Sequence, residues 1–266
     1  MSDIRLDKFL ADAGAGTRSE VKIKIKKGQV TVNGEAAGKS DIKINPDIDE
    51  VCLDGKKLIY NEFEYFMLNK PQGVVSATKD DKDKTVIELI TEAKRRDLFP
   101  VGRLDKDTEG LLIITNDGKL SNNLLAPGKH VDKTYFAIIA GEVTDDTVLR
   151  FTEGIDIGDD KPTAPAKLRI LYDDKDEILD VDSDATNNNS GNVNNIMGDD
   201  IIKSNVEITI TEGRYHQIKR MFEAVGMKVT YLKRLSMGSL SLDDSLKPGE
   251  YRRLTDEEIR LLAGDF

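Results

Sequence analysis

Asp105 stands in the polar stretch Gly102-Arg103-Leu104-Asp105-Lys106-Asp107, just ahead of the apolar run Leu111, Leu112, Ile113, Ile114. That run is short and bounded by Gly110 and by Asn116-Asp117-Gly118, so it reads as a buried strand. An acid at the rim of a rigid sheet can act as a nucleophile or as a base. Flanked by Lys106 and Asp107, it can equally be a solvated turn residue, because Asp favours turns. Two further reactive groups sit in patterned surroundings. Tyr135 follows Lys133-Thr134 in a strand-like stretch, and alternation turns it away from the face that carries Phe136. Lys219 falls near the start of a helix whose Ile218, Met221, Phe222 and Val225 form an apolar stripe, so its ammonium can reach a cleft at the stripe's edge or can simply face solvent. An ammonium close to a carboxylate keeps that acid ionised where desolvation would otherwise protonate it. Asp105 paired with Asp107 or Glu109 would alternatively suit glycoside hydrolysis, although that chemistry leaves the basic start of the chain unexplained.

These groups need a scaffold, and the pattern along the chain supplies an α+β one. Leu6, Phe9, Leu10 and Ala13 fall on one helical face, which Gly14-Ala15-Gly16 ends. Thr17 and Glu20 have the spacing of a capping box and open a second helix that stops at Gly28. Val30-Thr31-Val32 then runs into the Asn33-Gly34 turn. Residues 1–59 are thus expected to form a small first domain, 60–64 a linker, and 65–266 a second domain. In the second, strands are expected at 65–68, 111–114, 134–139 and 206–210, and helices at 85–95, 147–153, 215–225 and 255–262. Helices do not alternate regularly with strands, so the sheet should be mixed and mainly antiparallel.

With 266 residues, 38% of them hydrophobic, the chain is long enough for a full domain plus a small accessory one. No apolar run approaches the roughly 18 residues of a membrane helix, and no signal-peptide pattern opens the chain. Cys52 is the single cysteine and is expected in the core; with only His130 and His216 beside it, no zinc set is expected. No cofactor is called for, and a reducing cytoplasm is the expected compartment. The net charge of −10 is concentrated: residues 173–200 contribute −8, which leaves −2 for the rest. Residues 182–205, rich in Asp, Asn, Ser and Gly, are expected to form a flexible surface excursion, so that 173–205 reads as an insert. Arg18, Lys22 and Lys26 recur every four residues on the second helix, a row that can follow a phosphate backbone without reading sequence, or can simply be a solvated face.

The first domain resembles the S4 RNA-binding module in its opening residues 4–10, its helix at 17–27 and its turn at 30–34. The second resembles the pseudouridine synthases in four stretches taken in the family's order: Asn69-Lys70-Pro71-Gln72-Gly73, Gly102-Arg103-Leu104-Asp105, Lys133-Thr134-Tyr135, and residues 212–222. The resemblance implies that Asp105 is the catalytic carboxylate, acting either on the sugar as nucleophile or by removing a sugar proton. It implies that Tyr135 stacks on the uracil, that Lys219 is the basic partner of the acid, and that Arg103 enters the stack when the nucleotide swings out. Lys70 and Pro71 are implied to be architectural. Arg5, Lys8, Arg18, Lys22, Lys26, Arg214, His216 and Arg220 are the further expected RNA contacts, His216 more as a structural residue of the helix start. Tyr215-His216 and the stretch 246–252 are similar to the branch acting on the small ribosomal subunit. The implied substrate is a uridine of 16S ribosomal RNA, of the position-516 type, in free RNA or in a small-subunit assembly intermediate. A 23S target and a non-catalytic assembly factor are the alternatives. Neither a protein partner nor more than a monomer is demanded.

Overall fold

The computed structural model describes residues 3–171 and 202–264. Residues 3–129 carry β1 (Ile4–Arg5), α1 (Leu6–Asp12), α2 (Arg18–Lys26), β2 (Val30–Val32), β3 (Glu35–Ala36), β4 (Lys43–Ile44), β5 (Val51–Leu53) and β6 (Lys56–Lys57). They continue with β7 (Tyr65–Lys70), β8 (Phe99–Pro100), β9 (Glu109–Thr115) and α3 (Gly118–Leu125). Then come β10 (Lys133–Ala140), α4 (Asp145–Glu153), β11 (Lys167–Leu171), β12 (Lys203–Ile210), α5 (Gln217–Ala224) and β13 (Lys228–Met237). The chain closes with β14 (Leu240–Ser241), β15 (Tyr251–Arg253) and α6 (Asp256–Gly264). This is the α+β class the patterning implied. By compactness it divides into two units, Met1–Lys129 with Gly238–Phe266, and His130–Met237.

In the first unit, Leu6, Phe9 and Leu10 of α1 and Val21 and Ile25 of α2 meet Val30, Ile44 and Val51 in a small core. Thr17 caps α2: its hydroxyl accepts from the Glu20 amide at 3.3 Å while the Glu20 carboxylate accepts from the Thr17 amide at 2.6 Å. Asn33 and Gly34, with φ of 52° and 86°, make the tight turn between β2 and β3. Cys52 is only half-buried, a correction to its expected core place: Val51 takes the inward face, and alternation turns Cys52 outward.

The stretch 60–64 is fastened at both ends. Tyr60 stacks on Phe9 with ring centroids 5.2 Å apart, and Glu64 is almost fully buried. Glu64 accepts from the backbone amides of Lys94 and Arg95 at 3.0 and 2.8 Å and from the Arg253 guanidinium at 2.6 Å. These bonds also explain why the helix expected at 85–95 is absent. Only Ile87–Leu89 turns, as one 3-10 turn closed by Thr85 and Glu88. Beyond it, the amides of Thr91 and Glu92 donate to the Tyr251 hydroxyl at 3.1 Å each, and those of Lys94 and Arg95 go to Glu64. Side chains thus claim the donors a helix needs for its own ladder.

The sheet of this unit runs β15–β7–β9, antiparallel, with β8 also on β9. Leu111, Leu112, Ile113 and Ile114 are all fully buried, so β9 is covered on both faces and reads as a continuous apolar run. The Asn116-Asp117-Gly118 boundary does more than turn: Asp117 accepts from the amides of Lys119 and Leu120 and so opens α3.

The second unit is an antiparallel β11–β12–β10–β13 sheet with α4 and α5. β10 alternates strictly, with Lys133, Tyr135, Ala137 and Ile139 buried. Phe151 of α4 and Phe222 of α5 pack with centroids 4.9 Å apart. Burying each such ring is worth on the order of 1.5–3 kcal/mol. The expected flexible excursion through Asn205 is corrected at its end. Lys203, Ser204 and Asn205 already belong to β12 and pair with Ala140, Ile139 and Ile138, because the ladder of β10 extends that far. The rest of the expected insert, up to residue 201, lies outside the described residues.

Candidate active site

Asp105 is half-buried in the turn that leads into β9, where the Thr108 amide donates to its carbonyl at 3.1 Å. The turn is clamped from below. The fully buried Lys70 ammonium donates to the carbonyls of Pro71 (3.0 Å), Lys106 (3.4 Å) and Thr108 (2.9 Å). The Gly73 amide adds a bond to the Lys106 carbonyl at 2.8 Å. On the other side of the acid, the Ser76 hydroxyl donates to the Leu104 carbonyl at 2.9 Å and accepts from the Leu104 amide at 3.1 Å. The Lys70 ammonium thus fastens the turn that carries Asp105. Ser76 was not foreseen, since nothing in its neighbourhood marks it. Arg103, two residues before the acid, is exposed.

Tyr135 lies on the buried face of β10, 7% exposed, opposite Ile208 on one neighbour and Arg234 on the other. Lys133 shares that face. Its ammonium donates to the Val131 carbonyl at 2.8 Å and has no carboxylate in ion-pair range among the described residues. Burial, reinforced by the nearby Arg234 guanidinium and only partly opposed by Asp132, pushes the Lys133 ammonium down from the ordinary 10.5 to about 8. Two buried cations thus stand close to the tyrosine. The strand period alone puts Lys133 beside Tyr135, a signal that was available in the sequence.

Lys219 is half-buried in the first turn of α5, beside the stripe formed by the buried Ile218, Met221 and Phe222. The turn before it is held by Gln217. Its side-chain carbonyl accepts from the Arg214 amide at 3.0 Å, and its amide nitrogen donates to Glu212 at 2.9 Å. Arg214 and Arg220, expected at the RNA, are engaged inside the unit. Both donate to Asp159, whose carboxyl they hold below the ordinary range, Arg220 foremost. Arg214 also donates to the carbonyls of Lys161 and Pro162, and Arg220 to those of Tyr215 and Ile157. They brace the loop at 157–162 against the start of α5. His216 has a left-handed backbone, φ 49°, and stacks on Tyr215.

In the first unit, the Arg18, Lys22 and Lys26 side chains are exposed and make no ion pair or side-chain hydrogen bond among the described residues, although, after Arg5, Lys22 and Arg18 help to hold the Asp7 carboxyl down. Arg5 instead forks onto the buried Asp7 at 3.1 and 2.8 Å, and Lys8 donates to Asp12 at 2.6 Å. The Arg5 hydrogen bonds hold the Asp7 carboxyl below the usual carboxylate range. No described helix is long and apolar enough to cross a membrane. No group of three metal-ligating side chains occurs among the described residues.

Comparison with known proteins converges on the same stretches. Residues 64–224 match the family of RNA pseudouridylate synthases, and residues 4–47 match the S4 domain. The chain is 45% identical over 260 residues to an uncharacterized RNA pseudouridine synthase, YtzG, of Bacillus subtilis, covering 97% of this chain and 98% of that protein. It is 38% identical to the ribosomal small subunit pseudouridine synthase A of Escherichia coli K12 over 96% of this chain and 98% of that one. A crystal structure of a pseudouridylate synthase, 38% identical, superposes with a TM-score of 0.61 over 97% of this chain and 99% of its own.

Proposed function

Because the chain belongs to the RNA pseudouridylate synthase family, we propose that it converts one uridine of 16S ribosomal RNA, of the position-516 type, to pseudouridine. The reaction is an isomerisation: the bond from C1′ to N1 breaks, the uracil turns, C5 bonds to C1′, C5 loses its proton and N1 gains one. Asp105 is the acid that acts on the nucleoside. A carboxylate used this way must not wander, because a misplacement of about 1 Å can cost on the order of a hundredfold in rate. The observation that carries the assignment is the clamp on its turn, formed by Lys70, Gly73 and Ser76. Tyr135 supplies a flat ring for the uracil and a hydroxyl for the C5 proton. Lys219 is taken as the basic partner of Asp105, the role its motif implies. Extruding the target costs a few kcal/mol, about the cost of unstacking one base. The exposed Arg103 fills the gap it leaves.

Support for the small subunit comes from relatives 38% identical over nearly their whole length. The more similar Bacillus relative is named for RNA without a ribosomal subunit, which favours testing a 23S target as well. The row Arg18, Lys22 and Lys26 grips the phosphates, in free RNA or in an assembly intermediate. The test is pseudouridine mapping at nucleotide resolution in 16S and 23S RNA from matched strains making the wild type, Asp105→Asn, or no protein. One 16S site present only with the wild type is the expected result. Its persistence with Asp105→Asn would remove the acid from the mechanism, and a site in 23S alone would move the target.

A further inference from the structure

Tyr215 is the most exposed aromatic side chain among the described residues, at 70%. Its ring lies nearly parallel on the His216 imidazole, with centroids 3.8 Å apart and planes 18° apart. One face of the phenol is therefore covered and held, while the rest of the side chain meets solvent. The backbone that presents it is unusual. His216 takes the left-handed conformation, φ 49° and ψ 33°, which a residue with a Cβ rarely adopts, at the cap of α5 and with no side-chain capping bond. Around it the turn is over-determined. Gln217, itself 3% exposed, bonds the Arg214 amide and Glu212, and Arg220 donates to the Tyr215 carbonyl at 3.2 Å. A strained, well-fastened turn that displays an apolar ring to water gains nothing for folding from that ring.

Such a ring, immobilised before any ligand arrives, is the platform on which unpaired bases stack in single-stranded RNA. We infer that Tyr215, backed by His216, is a stacking subsite for an unpaired nucleotide of the substrate RNA. This rests on the RNA-modifying reading above and adds a residue that recognises the substrate without touching the reacting atoms. The cations around it do not compete for that role: Arg214 and Arg220 are tied to Asp159 and to carbonyls. What the subsite reads is the flat face of a base. Preference among bases should follow stacking area, purine over pyrimidine, rather than a hydrogen-bond code.

The test uses the full chain and a 16S fragment containing the target, with 2-aminopurine placed in turn at each nucleotide flanking the uridine. Binding of the wild type should quench the probe at one flanking position, and Tyr215→Ala should abolish that quenching. In steady state, Tyr215→Ala should raise KM by roughly 5- to 100-fold, the range for loss of one aromatic–base stack. Its kcat should stay within about threefold of the wild type, since the variant removes grip and no reacting group. Tyr215→Phe and Tyr215→Trp should behave as wild type, whereas Tyr215→Leu, apolar but not flat, should resemble the alanine variant. An unchanged KM in Tyr215→Ala, full rescue by leucine, or no quenched position with an active wild type would overturn the subsite and leave the enzyme assignment standing. A wild type that makes no pseudouridine in either ribosomal RNA would remove the underlying reading and this inference with it.

Discussion

Lys133→Met tests whether the cation beside Tyr135 is held there at an energetic cost. Lys133 is 7% exposed, and its ammonium sits about 8 on the pH scale against 10.5 in the open chain. The sign follows from which state holds the proton. Below pH 8 both folded and unfolded chains carry the charge, and the folded one bears the full desolvation penalty. Between pH 8 and 10.5 the unfolded chain binds more protons, so the Lys133 contribution makes stability rise with pH. Above 10.5 both are neutral and the penalty is gone.

Each unit of pKa is about 1.4 kcal/mol, which sets a ceiling of roughly 3 kcal/mol on the penalty. Methionine fills similar space but leaves the Val131 carbonyl without its donor, a loss of about 1 kcal/mol. The variant should therefore be more stable than the wild type by up to about 2 kcal/mol at neutral pH. It should be less stable by about 1 kcal/mol once lysine is neutral in both states. Paired urea unfolding curves across this pH range, read as the difference between the two proteins, cancel every other titrating group. A difference that does not change with pH would refute the idea that Lys133 is buried as a strained cation. If the stabilised variant also loses turnover, the penalty is spent on the reaction; the charged groups facing it are Arg234 and Asp132.

Ser76→Ala should cost about 1–3 kcal/mol, because both polar groups of Leu104 lose their buried partner. Its kcat should fall more than its KM rises, and steady-state kinetics with unaltered kcat would show that the clamp does not serve Asp105. Glu64→Gln should destabilise by roughly 2–4 kcal/mol, since an amide cannot replace a buried carboxylate facing two backbone donors and Arg253; thermal unfolding reads this directly. Replacing Arg18, Lys22 and Lys26 with Ala should flatten the dependence of log affinity on log salt by about 2–3, and an unchanged slope would place the RNA elsewhere. Deleting residues 173–200 changes the net charge from −10 to −2 and should leave activity within about threefold. Extending the deletion through Asn205 removes three paired residues of β12 and should lower stability measurably in the same urea assay.

The parts of the fold that were legible are those where local chemistry and burial agree. The Thr17 box, the Asn33-Gly34 turn and the alternation that separates Tyr135 from Phe136 each follow from a handful of neighbouring residues. Residues 85–95 have helix-forming composition, yet the amides of Thr91, Glu92, Lys94 and Arg95 are taken by Tyr251 and Glu64, which lie far away in sequence. β13, the longest strand, was not anticipated because Lys233 and Arg234 break its apolar alternation, and Arg234 is nonetheless 2% exposed.

The candidate site divides along the same line. Asp105, Tyr135 and Lys219 could be named because each stands in a stretch with a family resemblance. Ser76 and the buried state of Lys133 could not, because they depend on what packs over them. The expected RNA contacts separate for an electrostatic reason. A guanidinium or ammonium already joined to a carboxylate brings less uncompensated charge to a phosphate, so Arg5, Lys8, Arg214 and Arg220 are expected to contribute less affinity each than an unpaired cation. Arg18, Lys22, Lys26 and Arg103 make no ion pair among the described residues, although the Asp7 carboxyl feels the charge of Lys22 and Arg18, and these four are the proposed sources of counterion release. The charges proposed to grip and the charges that brace are therefore separated by their neighbours within the fold, which a count of basic residues along the chain does not register.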